Sequence, residues 1–342
     1  MDAAYVYHPL YLEHNQPSHP ENAGRLERIL HTMEEQGLLP RVSLLEPRAA
    51  TEGELLRVHT QRHIADVKRV AEGGGGHMDM DTYVSPRSFE AALMAAGGVT
   101  RAVEGVLSGE IANAFALVRP PGHHATRGRA MGFCLFNNVA IAAQAALAEE
   151  GIDRVFIADF DVHHGNGTQD SFAEDPDVFY FSTHQYPYYP GTGAMREVGR
   201  NAGVGTLLNV PLPPHVGDRG YAEIFGELVW PLAERFSPDL VLVSAGYDGH
   251  WSDPLAHMDL SLTGYAHLQQ ELVRMAGQLC RGRIVFTLEG GYQLEALAYG
   301  VSNAIYAMLG EDTVVDPLGP SPRPERSLGT LIEDLQELHH LG

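Results

Sequence analysis

Acidic and imidazole side chains follow one apolar segment of the chain directly. Residues 157–169 read Ile-Ala-Asp-Phe-Asp-Val-His-His-Gly-Asn-Gly-Thr-Gln, so a predicted strand runs into Asp159, Asp161, His163 and His164 before a glycine-rich turn. Because alternate side chains of a strand point to the same face, Asp161 and His163 can reach one ion. A carboxylate together with an imidazole suits zinc or another borderline divalent metal.

A second apolar run also ends in a carboxylate. Residues 240–248 read Leu-Val-Leu-Val-Ser-Ala-Gly-Tyr-Asp, and no turn pattern explains Asp248. An isolated acid at a strand end is more often a turn residue or a helix N-cap. Ligands of open parallel sheets, however, bind beyond the carboxyl ends of the strands, and several buried acids need a metal or paired hydrogen bonds. The sequence therefore predicts a metal site formed by Asp161, His163 and Asp248.

Two further predicted strand ends carry groups suited to proton transfer. Residues 117–125 place His123 and His124 after a proline-glycine turn, and adjacent histidines that titrate near neutral pH can serve as base and acid. Residues 286–292 deliver Tyr292 after two glycines, where a phenol could donate to a developing oxyanion. A lone histidine, or a buried tyrosine bonded to a backbone carbonyl, would be structural, so the interpretation depends on these groups lying near the metal site.

The elements that position these groups follow a strand-turn-helix pattern. Ala-, Leu- and Glu-rich segments at 88–107, 139–149, 221–235 and 263–279 have helical spacing. No Pro/Ser-rich linker divides the middle of the chain. We therefore predict one α/β domain built on a parallel sheet. Eight short apolar runs are the predicted strands: residues 4–7, 42–45, 114–118, 154–159, 178–182, 207–210, 240–244 and 284–288.

The C-terminal segment and the glycine-rich loop contribute no candidate catalytic or metal-binding residues. Residues 1–315 are interpreted as the catalytic domain, and 316–342 as a Pro-rich connector and a C-terminal helix that packs on the same domain. A partner-binding role for that helix is the less common alternative. Its apolar stripe consists of Leu328, Leu331, Ile332, Leu335 and Leu338. The four glycines at 73–76 lack the context of a phosphate-binding loop and predict a mobile surface loop.

Composition excludes several classes of function. A formal net charge of −21 argues against a nucleic-acid partner, although it could steer a cationic substrate or serve solubility alone. No apolar run approaches the roughly 20 residues of a membrane span. The N-terminus lacks a secretory pattern and only Cys134 and Cys280 are present, so we expect a reduced, cytoplasmic protein. A homo-oligomer stays open.

Several motifs, in order, resemble the histone deacetylase superfamily, which includes bacterial deacetylase-like amidohydrolases, acetoin-utilisation proteins and acetylpolyamine amidohydrolases. The resemblance implies the arginase/deacetylase α/β fold, a single domain with an eight-stranded parallel sheet flanked by helices. It implies Zn²⁺ on Asp161, His163 and Asp248, with Tyr292 as the catalytic tyrosine. The motifs are 19–28 (His-Pro-Glu-Asn-Ala-Gly-Arg-Leu-Glu-Arg), 119–125, 132–138 (Gly-Phe-Cys-Leu-Phe-Asn-Asn), 159–169, 189–193 (Tyr-Pro-Gly-Thr-Gly), 244–255 and 288–292.

The same resemblance assigns supporting roles. Asp159 would partner His123, and Asn166 would stand behind His124 where class I enzymes carry an acid, a departure typical of the class II-like branch. The implied substrate tunnel has aromatic walls, a glycine floor and a mouth, contributed by Gly132, Phe133, Tyr189, Leu255, Gly290 and Gly291. A structural K⁺ would be bound by backbone oxygens of Asp159, Asp161 and His163, with Ser182 and Thr183 nearby.

The function implied is hydrolysis of an acetylated amine, with Nε-acetyl-lysine as the expected substrate and acetylpolyamine as the alternative. An arginase-like dimanganese hydrolase shares the fold but needs a second set of metal ligands. A non-catalytic acetyl-amine binding protein would be expected to have lost a ligand or Tyr292, and both are present.

Overall fold

The computed structural model describes residues 2–341, and its strands form two sheets. Strands β3 and β4 pair as a short antiparallel hairpin, and the other eight form one parallel sheet in the order β2-β1-β5-β10-β9-β6-β7-β8. The strands are β1 (Ala3–Val6), β2 (Ser43–Leu45), β3 (Gly76–His77), β4 (Tyr83–Val84), β5 (Asn113–Ala116), β6 (Val155–Asp159), β7 (Val178–Gln185), β8 (Leu207–Leu212), β9 (Leu240–Ala245) and β10 (Ile284–Leu288).

Each of the eight predicted strands coincides with a strand of the parallel sheet, and the eight-stranded α/β architecture is confirmed. The hairpin was not predicted. Residues 73–76 were predicted to form a mobile surface loop, but the last of them, Gly76, pairs with Val84, and His77 pairs with Tyr83. Two-residue strands carry too little alternation of apolar and polar side chains to be recognised from sequence.

The four central strands are buried on both faces. Every residue of β5, β6, β9 and β10 is buried, as expected for strands covered by helices on both sides of a parallel sheet. Asp159 at the end of β6 is in register with Ser244 of β9, and Leu288 of β10 with Ala245. The carboxyl ends of β5, β10, β9 and β6 therefore lie side by side along one edge.

Helices cover the two faces of the sheet. None of the helices within residues 2–341 is long and apolar enough to cross a membrane. A π-helical turn, Phe225–Val229, interrupts the helix predicted at 221–235. The α-helices are α1 (Gly24–Glu35), α2 (Glu52–Leu56), α3 (Gln61–Glu72), α4 (Ser88–Ser108), α5 (Asn138–Ala146), α6 (Asn166–Phe172), α7 (Asp218–Ile224), α8 (Trp230–Phe236), α9 (Leu262–Leu279), α10 (Leu294–Met308) and α11 (Leu331–Leu338).

The C-terminal segment lies against the body of the protein. Ile332 and Leu335 of α11 are buried in the same hydrophobic cluster as the sheet. Before the helix, the Trp251 indole N–H donates to the carbonyl of Gly319 at 2.9 Å. The Arg323 guanidinium binds the Asp259 carboxylate, with its closer nitrogen at 2.7 Å. Apolar burial and these polar contacts both fix the segment on the chain's own surface.

Helix α4 passes very close to the segment that follows β2. A Cβ placed on Gly97 would lie 2.6 Å from the carbonyl carbon of Ala49, a distance that real Cβ atoms essentially never show. The Ala50 N–H donates to the Leu93 carbonyl at 2.8 Å, which anchors that segment to the helix. Since backbone cannot move away as a flexible side chain can, the close approach requires glycine at position 97.

We predict that Gly97→Ala lowers the free energy of unfolding by about 2 kcal/mol, because the added methyl group must push two backbones apart. Gly277→Ala is the matched control: Gly277 is exposed in α9, and a Cβ there would meet nothing within 4 Å. Removing a helical glycine should raise stability by ~0.5–1 kcal/mol. Urea unfolding of both variants measures the difference, and equal midpoints would contradict the proposed close contact.

Candidate active site

Backbone N–H groups at the strand ends fix two buried carboxylates. Oδ2 of Asp161, which follows β6, accepts from the N–H of Gly290 at 2.8 Å, and Oδ1 of Asp248, which follows β9, accepts from Val162 at 2.9 Å. The His163 Nδ1 lies 3.0 Å from Oδ2 of Asp248 and 3.3 Å from Oδ1 of Asp161. One donor atom from each of Asp161, His163 and Asp248 lies within 4.8 Å of the others.

The electrostatics of this group fit a divalent cation. Asp161 and Asp248 are essentially inaccessible to solvent, and burial raises the pKa of Asp248, an effect to which Asp161 adds. Burial lowers the pKa of His163, but hydrogen bonds and charge interactions with the two carboxylates outweigh it and raise this pKa to about 10. Two buried carboxylates therefore demand positive charge at this point, and the donor set of two oxygens and one nitrogen is one that zinc accepts.

The tandem histidines differ in their hydrogen-bond partners. The His123 Nδ1 lies 3.0 Å from Oδ2 of Asp159, whereas the His124 Nδ1 lies 2.9 Å from Oδ1 of Asn166. The Asn166 amide also donates to the carbonyl of His124 at 3.4 Å, which orients its oxygen toward the ring. His124 therefore donates from Nδ1 to Asn166 and keeps Nε2 free as a proton acceptor.

This difference separates the pKa values of the two rings. Burial lowers the pKa of His123, but the charges of Asp159 and Asp161 raise it to about 10. Burial, together with the neighbouring His123 and His163, holds the pKa of His124 well below its usual value. One imidazolium and one neutral imidazole thus stand side by side, with ring centroids 4.0 Å apart.

A clamped turn presents Tyr292 to the same site. Gly291 has φ +115°, a conformation that glycine adopts without strain. The Arg25 side chain donates from Nε to the Gly291 carbonyl at 2.8 Å, and its guanidinium lies 5.2 Å from the centre of the Tyr292 ring. Burial raises the pKa of the Tyr292 phenol well above its usual value, so the hydroxyl remains a hydrogen-bond donor.

These groups meet in a cavity of about 270 Å³. The Phe133 and Tyr292 rings stand 5.8 Å apart and nearly perpendicular, and Tyr189 packs edge-on against His124 at 5.1 Å. Gly132 has φ +56°, and a Cβ on it would lie 2.7 Å from Cγ of His124. The cavity is lined by Asp81, Pro121, His123, His124, Gly132, Phe133, Cys134, Asp161, His163, Tyr188, Tyr189, Leu255, Gly290 and Tyr292.

The residues expected at a potassium site lie on β7 and on β6 with the segment that follows it. Ser182 of β7 is in register with Asp159 of β6, and both Ser182 and Thr183 are buried. The Ser182 hydroxyl lies 2.9 Å from Nδ1 of His184. Within the described part of the chain, the Thr183 hydroxyl has no hydrogen-bond partner. Binding of K⁺ here stays a prediction.

A second group of potential ligands, His123, Cys134 and Glu289, lies next to the first. The Glu289 carboxylate already accepts from the N–H groups of Gly122 at 2.7 Å and His123 at 3.2 Å, and from the Ser244 hydroxyl at 3.2 Å. Its oxygens therefore support the backbone of the tandem histidines, a role that requires no second metal.

Sequence reasoning missed several residues of the site. Asp81 reaches the cavity from the β3–β4 hairpin, which was not predicted, and Tyr188 precedes the expected wall residue Tyr189. Cys134 lies within the 132–138 motif, but the two cysteines had been used only to predict a reduced protein. Asp253 is buried with both oxygens engaged, although its position before Pro254 gave it the pattern of an ordinary turn residue.

The ends of the central strands carry a metal-ligand group, two histidines and a tyrosine. This arrangement on an eight-stranded parallel sheet is typical of metal-assisted hydrolases. A family model described as "Histone deacetylase domain" matches residues 19–308. The chain belongs to the histone deacetylase family, with its arginase/deacetylase fold, and is a deacetylase hydrolase.

Individual relatives agree with this assignment. "Histone deacetylase 14, chloroplastic" of Arabidopsis thaliana is 39% identical over 99% of this chain and 86% of its own length. A "Probable deacetylase" of Archaeoglobus fulgidus is 42% identical over 91% of this chain and 88% of its own length. The crystal structure of the HDA15 HD domain aligns with a TM-score of 0.90 at 38% identity, covering 99% of this chain and 94% of that one.

We predict that Gly132→Ala lowers kcat/KM by roughly 100-fold, because the methyl group displaces the His124 ring and changes the shape of the cavity. Gly128→Ala, four residues away, is the control, since a Cβ there meets nothing within 4 Å. Steady-state kinetics give kcat/KM of both variants for comparison with the wild type. Similar losses in the two variants would show that the close approach of Gly132 to His124 is not what matters.

Proposed function

We propose that this protein is a zinc-dependent amidohydrolase that removes acetyl groups from acetylated amines, with Nε-acetyl-lysine as its substrate. The proposal rests chiefly on one observation: Asp161, His163, the tandem histidines and Tyr292 all line a single cavity, and Asp248 offers a third ligand atom within 4.8 Å of those of Asp161 and His163. Asp161, His163 and Asp248 would hold the metal. Bound there, zinc would supply a Lewis acid for the acetyl carbonyl and lower the pKa of its bound water toward about 7.

His124 is the group suited to move the protons. Its neutral ring, with Nδ1 committed to Asn166, accepts a proton from the attacking water at Nε2. The same nitrogen then returns that proton to the leaving amine. Asn166 orients the ring but adds no negative charge, so His124 stays a weaker base than it would be beside a carboxylate.

His123 and Tyr292 stabilise the charge that develops on the substrate. His123, protonated and paired with Asp159, supplies a fixed positive charge beside His124. The Tyr292 phenol donates a hydrogen bond to the oxyanion of the tetrahedral intermediate. Arg25 holds the Gly290-Gly291 turn, which presents the tyrosine to the same cavity as the two histidines.

The shape of the cavity supports a linear acyl-amine substrate. Phe133 and Tyr189 supply aromatic walls on which an alkyl chain can pack, Gly132 lies close to the His124 ring, and Leu255 contributes an apolar contact. Gly290 and Gly291 keep the turn beside the acetyl group free of side chains. These contacts are suited to the four-methylene chain of a lysine.

One observation favours acetylpolyamine as a second candidate. The Asp81 carboxylate lines the cavity, and a polyamine would bring an ammonium group into that region. Burial and the nearby Asp79 raise the pKa of Asp81, which weakens its attraction for a cation. We therefore place the acetylated lysine first and the polyamine second.

A structural K⁺ is part of the proposal. Backbone oxygens of Asp159, Asp161 and His163 would bind it together with Ser182 and Thr183 of β7, the strand next to β6. A second cation there would offset the negative charge of Asp159 and Asp161, both of which are buried. A cytoplasmic location is also kept as a proposal.

Metal content tests the ligand assignment directly. Asp161→Asn should weaken zinc binding by more than about 100-fold, because changes to mere supporting groups of zinc ligands already cost 10–100-fold. Asp312→Asn, which alters an exposed carboxylate, should bind zinc like the wild type. Elemental analysis after dialysis against a weak chelator gives the result. Wild-type zinc content in Asp161→Asn would refute the assignment.

The substrate is tested by kcat/KM of the zinc-loaded protein on an acetyl-lysine peptide beside N-acetylputrescine and N-acetylspermidine. We expect the peptide to be preferred by at least about tenfold, or ~1.4 kcal/mol of transition-state binding. Tyr292→Phe should lower the rate by on the order of 10² to 10³, since it removes the oxyanion donor. The reverse preference would favour the polyamine, and activity on none of the three would refute the proposed substrate class.

A further inference from the structure

Asp253 joins two parts of the site that are far apart in sequence. Its Oδ2 accepts from the backbone N–H groups of Tyr292 at 2.7 Å and Gln293 at 3.0 Å, and its Oδ1 accepts from Leu255 at 2.9 Å. The side chain is 7% exposed. One buried carboxylate thus ties the turn that presents Tyr292 to the loop that brings Leu255 to the cavity.

The peptide group between Gly291 and Tyr292 is held at both ends. Its carbonyl accepts from Nε of Arg25 at 2.8 Å, and its N–H donates to Asp253 at 2.7 Å. Because Gly291 has φ +115° and lacks a side chain, the chain before Tyr292 has little intrinsic stiffness. The direction of the phenol therefore depends on these two outside contacts.

The loop that carries Asp253 is itself anchored, so it can hold the tyrosine turn in place. At its base, the backbone N–H of Trp251 donates to the Leu260 carbonyl at 2.9 Å. The backbone N–H of Asp253 donates to the His250 carbonyl, also at 2.9 Å. Near its tip, the Tyr188 hydroxyl donates to the Leu255 carbonyl at 3.1 Å. Arg323 of the C-terminal segment donates to the Trp251 carbonyl at 3.2 Å.

We propose that Asp253 is a positioning residue that sets the placement of the Tyr292 phenol and couples it to the tunnel wall at Leu255. The inference rests on the proposed role of Tyr292 as oxyanion donor. Asp253 lines no part of the cavity, so it acts on the reaction through Tyr292. A shift of the phenol by about 1 Å is enough to cost a large factor in rate.

Asp253→Asn tests this role with little change in volume. An asparagine amide has one acceptor oxygen and one NH₂ group. Its NH₂ must therefore face either the backbone N–H of Leu255 or the backbone N–H groups of Tyr292 and Gln293, and cannot accept a hydrogen bond from them. We expect kcat on the acetyl-lysine peptide to fall roughly 10- to 100-fold, with KM much less affected. In a Tyr292→Phe background, where there is no hydroxyl to misplace, the same substitution should change kcat by less than about twofold.

Asp218→Asn is the matched control, because Asp218 also uses both carboxylate oxygens as acceptors. Its Oδ1 accepts from the Ser261 N–H at 2.8 Å and its Oδ2 from the Ser261 hydroxyl at 2.6 Å, and it contacts neither Tyr292 nor Leu255. It should lower the thermal midpoint while leaving kcat and KM close to those of the wild type. Asp253→Glu serves if the asparagine variant fails to fold, since it retains the carboxylate and moves it by one methylene group; the same selective loss of kcat is expected.

Two results would overturn the inference. One is an equal loss of kcat from Asp253→Asn with and without the Tyr292 hydroxyl, which would mean that the residue acts on the fold in general. The other is a rise in KM with kcat unchanged, which would confine its role to the tunnel wall. Full turnover in Tyr292→Phe alone would remove the proposed oxyanion donor and this inference together, so the two failures are distinguishable.

Discussion

The burial of negative charge at the ends of β6 and β9 is the constraint on which the site depends. Asp159, Asp161 and Asp248 are buried within a small volume, and such a cluster is stable only if each carboxylate has partners. The structure supplies them from backbone N–H groups, from His123 and His163, and from a hydroxyl, since the Tyr180 phenol donates to Asp159 at 3.0 Å. A cation held by Asp161, His163 and Asp248 would complete this balance. The same charges that make the metal site therefore also determine the protonation of the histidines beside it.

A second buried ion network fixes the N-terminal part of the chain to the sheet. Arg119, just after β5, binds the Glu21 carboxylate and donates to the carbonyls of Tyr11 and His14 at 2.9 Å each. Arg25 also pairs with Glu21 and continues to the Gly291 carbonyl. The motif at 19–28 is thus part of the machinery that holds Tyr292, although it contributes no group to the cavity wall. Removal of either arginine would leave the buried Glu21 carboxylate with one cationic partner fewer.

The sequence was most informative where the local pattern and the tertiary role agree. Strands such as β9 are buried on both faces, so continuous apolar runs located them, and the parallel sheet then placed Asp161, His163 and Asp248 at one edge. The β3–β4 hairpin escaped notice because two-residue strands have no detectable period, and Asp81 was missed with it. Asp253 and Arg25 act through hydrogen bonds to distant backbone atoms, and spacing along the chain contains no information about such contacts. The roles of individual residues consequently needed coordinates or family resemblance.

The metal-ligand group, the tandem histidines and Tyr292 come from β-strand ends that are separated by as many as 169 residues, from His123 to Tyr292. No single segment of the chain can form even half of the site by itself, because β5, β10, β9 and β6 become neighbours only in the completed sheet. Such non-local assembly makes folding slow, since loop closure must precede the contacts that reward it. It also means that a ligand recognising the finished site binds the native state alone, and its free energy of binding adds to the stability of the whole domain. The protein's resistance to unfolding is in this way linked to the occupancy of its own active site.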